Sequence, residues 1–195
     1  DAERLYESAL AIAPGHPFAD HYLAVIAMQR RDYARAIPRL EHAAATRPDE
    51  PDFHSNLGLA YAAVDRFDEA IAAHRRSIEL HPDSASAWNN LGLSLVEQSK
   101  HREAVDAYRR ALAIDPSFPK GRWNLAMARL MLGDRGGWDD YEARLDIAEL
   151  GNAPDIPGVP RWRGGDVAGK TLLLDAEQGY GDLLQFIHFA SVLAR

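Results

Sequence analysis

Residues 88–116, WNNLGLSLVEQSKHREAVDAYRRALAIDP, return 34 positions earlier as HSNLGLAYAAVDRFDEAIAAHRRSIELHP (54–82). Asn90 stands over Asn56, Leu91 over Leu57, Gly92 over Gly58, Ala104 over Ala70, Tyr108 over His74 and Pro116 over Pro82. One period further back, DHYLAVIAMQRRDYARAIPRLEHAAATRP (20–48) keeps Leu23, Ala24, Tyr33, Ala36, Ala43 and Pro48 in place. Half a unit precedes it through Ala2, Tyr6, Ala9 and Pro14, and Leu125, Ala126, Gly133 and Trp138 carry the register onward before it degrades. Self-similarity at a fixed period of this length is the mark of a protein built from stacked repeats.

The residue types explain the stacking. Small residues, Gly58, Gly92, Ala70 and Ala104, belong where the two antiparallel helices of a hairpin approach closely, and Leu57, Leu91, Ile71 and Val105 fill the core beside them. Pro48, Pro82 and Pro116 end each second helix because they cannot donate the next backbone hydrogen bond. A single hairpin leaves apolar faces in water, so successive units bury them on one another and form a continuous superhelix. Period and pattern resemble the tetratricopeptide repeat: in WNNLGLSL the Trp, Leu and Gly match, and Leu95 takes the place of the Tyr. The expected fold class is therefore an all-α superhelical solenoid of antiparallel helix pairs. Its expected organisation over 1–150 is a half repeat at 1–16, repeats at 17–50, 51–84 and 85–118, and a degenerate capping repeat at 119–150.

In such a superhelix the first helix of each unit faces the concave side. Asn56, Asn90 and Asn124 recur there once per unit, with Tyr22 in the same place in the first full unit. Asparagine is a poor helix-interior residue, so its repetition needs a reason. A carboxamide offers an acceptor and two donors, and a row of them can hold the backbone of an extended peptide without reading its sequence. The row resembles the asparagine ladder lining the repeats of protein O-linked N-acetylglucosamine transferases; the competing reading is that the amides bond to neighbouring helices and set the curvature. Beside them run Val25, Leu59, Leu93 and Met127, which either pack between first helices or present spaced apolar anchors to a partner.

Composition narrows the classes of function. The chain has 195 residues, is 47% hydrophobic and 26% charged, and carries a formal net charge of −7 with no basic block, which argues against a nucleic-acid surface. No apolar run approaches the length of a membrane helix, and DAERLYESAL at the start shows no signal-peptide pattern, so the expected location is the cytoplasm. Because Asp1 is not a start methionine, the chain reads as a piece of a longer one. The absence of cysteine excludes disulfides and thiolate metal sites, and none of the eight histidines makes an HExxH or similar pair, so no metal and no cofactor are expected.

Beyond the repeats, GWDDYEARLDIAEL puts Trp138, Tyr141, Leu145 and Ala148 on one helical face, expected to close the solenoid as an aromatic cap. GNAPDIPGVPRWRGGDVAG (151–169), with Trp162, reads as a Pro/Gly linker over 151–170. Over 171–195, Thr171 to Leu174 reads as a buried strand, Gly179 and Gly181 as a tight turn, and Asp182 as the cap of a helix from Leu183. Together with the preceding repeats, GWDDYEARL and PRWRGGDVAGKTLLLDAEQGYGDLLQF resemble bacterial repeat-fused glycosyltransferases, whose enzymatic part is GT-B and heptosyltransferase-like. The resemblance implies that 171–195 is the first βα unit of a truncated Rossmann-like domain. It also implies that Gly181-Asp182 matches the loop beside the acceptor site, where the Asp is the general base, with Gly179 and Gly181 as the glycines of that loop.

The donor-binding domain has no counterpart in these residues, so the chain itself is expected not to be an enzyme. The leading expectation is a protein-interaction scaffold that holds a peptide or partner protein in the groove and recruits substrates for a larger glycosyltransferase. The alternatives are a nucleotide-sugar enzyme and a self-associating structural module, with the C-terminal tail or the broken half repeat (Leu5, Tyr6, Leu10) as the adhesive surface.

Overall fold

In a computed structural model, residues 2–141 are described. They form nine α-helices and no strand: α1 (Ala2–Ile12), α2 (Pro17–Gln29), α3 (Tyr33–Thr46), α4 (Pro51–Ala62), α5 (Phe67–Leu80), α6 (Ala85–Glu97), α7 (His101–Ile114), α8 (Pro119–Met131) and α9 (Gly137–Tyr141). The expectations at Leu145, Ala148, the 151–170 linker, the strand at 171–174 and the loop at Gly179, Gly181 and Asp182 lie outside the described residues.

Local chemistry sets the helix ends. Pro17, Pro51 and Pro119 open α2, α4 and α8, where the missing N–H has no intrahelical partner to lose. Ser84 opens α6 instead, its hydroxyl accepting from Ala87 N at 3.2 Å. The turn after each first helix has one left-handed residue, at Arg31, Asp65, Ser99 and Gly133, with φ of 59°, 62°, 59° and 78°. These four recur once per unit, so the backbone keeps the repeat where the side chains do not.

Packing follows the small-to-large pairing inside each hairpin. A methyl added at Gly58 would fall within the imidazole of His74, and one at Gly92 within the ring of Tyr108. In the first full unit the corresponding residues are Ala24 and Leu40, both fully buried in one core cluster. A smaller second-helix side chain thus leaves room for one more carbon on the first helix. Ala36, Ala70 and Ala104 are all at 0% exposure and fill the second close approach. Two core clusters follow the stack, one spanning α2 to α5 and the next α5 to α8.

The last unit departs from this plan at Trp138, while the rest of the expected capping face, Leu145 and Ala148, lies outside the described residues. Trp138 stands in register with Ala36, Ala70 and Ala104, but an indole cannot enter a slot that a methyl fills, and Trp138 is 61% exposed. Gly137 makes the close approach instead, its Cα set against Ala126 O and Leu130. Trp138 turns outward and meets Tyr141 edge-on at 5.4 Å. Arg129 occupies the position of Tyr61 and Leu95, and ties α8 to the segment beyond it through Asp134 (2.8 Å) and Asp140 (2.7 Å).

Candidate peptide-binding face

Each first helix touches the next one directly, α2 with α4, α4 with α6 and α6 with α8. The first helices therefore line the tighter, inner side of the stack. On that side Leu59 (37%) and Leu93 (43%) are exposed, while Val25 and Met127 are half-buried. The apolar line divides accordingly: its ends pack, and its middle is open.

The asparagines divide as well. Asn124 Nδ2 donates to Asn89 Oδ1 of the preceding first helix at 2.8 Å, and Asn56 Nδ2 lies 2.7 Å from His21 Nε2 in the equivalent place. Asn90 would need the same reach to Ser55, whose hydroxymethyl is too short, and its amide has no partner among the described residues. The side-chain row thus works partly as an inter-helix tie, leaving Asn90, three residues before Leu93 on α6, as the carboxamide with no partner among the described residues. Tyr22 stacks on Tyr6 of α1 with centroids 5.0 Å apart, and His21 lies 4.7 Å from the ring of Phe53. Burial pushes the His21 imidazole below its ordinary value, against the pull of Asp52, and so favours its neutral form.

A second periodic contact was not foreseen from the sequence. Trp88 Nε1 donates to Pro82 O at 2.9 Å, Arg122 to Pro116 O at 3.0 Å, and His54 Nε2 lies 3.0 Å from Pro48 O. The proline that stops one unit is thereby held by the first turn of the next. Three chemically different side chains share the task, so residue identity hid it and only their common position gives it away.

Electrostatics separate the two kinds of helix in the three full units, whereas α8, the first helix of the last unit, carries Lys120, Arg122 and Arg129. The first helices α2, α4 and α6 contain no lysine or arginine, whereas α3, α5 and α7 carry Arg35, Arg39, Arg75, Arg76, Arg102, Arg109 and Arg110. Among the described residues no His, Cys, Asp or Glu cluster could hold a metal, and no helix is long and apolar enough to cross a membrane.

Residues 49–117 match the tetratricopeptide repeat family model. The solenoid is similar in fold to tetratricopeptide-repeat structures. Among solved structures, MamA superposes with a TM-score of 0.69 at 24% identity, covering 75% of this chain and 86% of that one. YrrB, described as a tetratricopeptide-repeat protein with an unusual peptide-binding site, gives a TM-score of 0.65 at 18% identity over 75% of this chain and 76% of its own. The first repeat domain of Spaghetti (RPAP3), bound to the HSP90 peptide SRMEEVD, gives 0.59 at 19% identity over 60% of this chain and 93% of that one. Among curated proteins, FlbA of Caulobacter vibrioides is 30% identical over 223 residues, which take in 94% of this chain and 37% of FlbA. The chain thus spans a little over a third of the length of the curated relative it matches.

Proposed function

We propose that the solenoid is a protein-interaction scaffold that holds an extended segment of a partner along its first helices, centred on Leu59, Asn90 and Leu93. The observation that carries this is the carboxamide of Asn90, without a hydrogen-bond partner among the described residues, on the same first-helix side as the exposed Leu59 and Leu93. An amide pairs with a peptide backbone, and the leucines offer evenly spaced apolar contacts. YrrB and the RPAP3 domain show that this fold accommodates peptides. The absence of lysine and arginine from α2, α4 and α6 favours a neutral or basic segment over an acidic one such as SRMEEVD. In a longer parent, such a face would deliver substrates to the glycosyltransferase domain that 171–195 resembles, with Asp182 as its general base.

The test is an array of immobilised neutral, basic and acidic peptides probed with the full chain and with Leu59→Ser/Leu93→Ser and Asn90→Ala variants. Binding to neutral or basic peptides that both variants lose supports the reading; binding that both variants keep refutes it.

A second reading, self-association, is favoured by α1, which buries none of its residues and leaves Leu5 (71%) and Ile12 (88%) exposed. Light scattering on the chain and on Leu5→Glu/Ile12→Glu separates the two: a larger particle that the variant dissolves supports it, and a monomer throughout rejects it.

A further inference from the structure

Between α5 and α7 runs an open groove of about 860 Å3, floored by Ile78, Leu91, Leu95 and Ala107 with Trp88 at one side. It is distinct from the first-helix face, and the repeat register shows why it is open here. In the preceding cleft, between α3 and α5, the equivalent of Leu95 is Tyr61, whose hydroxyl reaches across to Glu41 Oε1 at 2.7 Å while Arg66 covers its ring at 4.3 Å. Leu95 stops short of that position, and Arg75, which replaces Glu41, turns to Glu103 on α7 at 3.3 Å. The cleft has lost its bridging phenol.

The charges on its rim change in step. One repeat earlier, Arg76 is held by Glu79 at 3.0 Å and by Pro48 O at 3.4 Å. Its equivalent is Arg110, whose matching acid is replaced by Ala113, and among the described residues it makes no hydrogen bond to the matching carbonyl, Pro82 O. The other charged side chains of the groove are engaged: Arg75 with Glu103, Arg109 with Asp106, and Glu79 with Arg76. Arg110 has no ion-pair or hydrogen-bond partner among the described residues. Two departures from the repeat therefore converge on one place, removing an aromatic ring and a carboxylate.

We infer that this groove is a second docking site, for a partner peptide that restores both: an aromatic side chain laid where Tyr61 lies one repeat earlier, with an acidic neighbour paired to Arg110. The aromatic ring gains the apolar floor, and the carboxylate meets the one guanidinium of the groove that has no acidic partner among the described residues. This preference is opposite to that of the first-helix face over α2, α4 and α6, which has no lysine or arginine, so one chain offers two surfaces of different selectivity.

The probe is acetyl-Ala-Glu-Tyr-Ala-amide, titrated to millimolar concentration into the 15N-labelled full chain, with the indole N–H of Trp88 as reporter. The expected result is a saturable shift of that resonance, weakened about tenfold when Gln replaces the peptide's Glu or when Arg110→Gln is introduced. Leu95→Tyr, which copies Tyr61 into the groove, abolishes it, while Leu93→Ala on the opposite face leaves it unchanged. Arg110 is exposed, so its variant tests the site even where Leu95→Tyr fails to fold. Absence of a saturable shift, or a shift indifferent to Arg110→Gln and to the Gln peptide, overturns the proposal.

Discussion

His74 lies over Gly58 in the place that Tyr108 occupies over Gly92, at 0% exposure and with neither ring nitrogen hydrogen-bonded. A second-helix ring is therefore packed for its shape, and in one repeat that ring is an imidazole. Burial drives the imidazole down to about 4 from an ordinary 6.5.

This fixes the sign of a pH effect. The unfolded chain takes up the proton near pH 6.5 and the folded chain only near pH 4, so stability is lost as pH falls through that window. The loss amounts to at most about 3 kcal/mol. His74→Phe keeps a ring over Gly58 and removes both unsatisfied nitrogens. It is expected to be more stable at neutral pH by about 1 kcal/mol or more, and to lose this part of the acid sensitivity. Urea denaturation at pH 7 and pH 4.5 reads both effects; an unchanged difference between the two pH values would mean that the proton goes elsewhere.

The pairing across each hairpin predicts a rescue. Gly92→Ala drives a methyl into the ring of Tyr108, which is 1% exposed and has nowhere to move, and should cost about 1–3 kcal/mol. Gly92→Ala combined with Tyr108→Leu rebuilds the Ala24–Leu40 arrangement of the first full unit and should recover part of that cost. A double-mutant cycle measures the coupling, and simple additivity would contradict the complementarity described.

The left-handed residues give a gain of stability. Arg31 and Ser99 hold φ of 59°, a conformation that costs a residue with a Cβ about 1–2 kcal/mol, whereas Gly133 adopts it freely. Ser99→Gly returns part of this against the extra freedom glycine has in the unfolded chain, a net gain of about 0.5–1 kcal/mol. The expected rise in melting temperature is about 1–4 °C, and a fall would show that the serine side chain has a role of its own.

These contrasts mark what could be read in advance. Gly58, Gly92 and the recurring alanines made the hairpins legible, because steric exclusion at a fixed position leaves a small residue in every copy. The left-handed turn was not legible, since Arg31, Asp65, Ser99 and Gly133 share a backbone angle and no chemistry. The Pro-carbonyl clasp escaped for the same reason, its donors being Trp88, Arg122 and His54. On the candidate face, Asn56, Asn90 and Asn124 look alike in sequence. What separates them is the residue one place earlier in the preceding unit: His21, Ser55 and Asn89, respectively. Only the serine cannot reach.

The fourth unit tests the argument where the repeat fails. Gly137, and not the in-register Trp138, meets α8, and its neighbour there is a backbone oxygen, Ala126 O, which cannot rotate aside as a side chain would. Gly137→Ala should therefore separate α8 from α9 and cost about 1–3 kcal/mol, whereas Trp138→Ala, at a position 61% exposed, should stay within about 1 kcal/mol. Hydrogen exchange localises the damage: faster exchange confined to α8 and α9 in the glycine variant is the expected pattern. Equal protection in both variants would show that the close approach at Gly137 does not hold this end of the solenoid together.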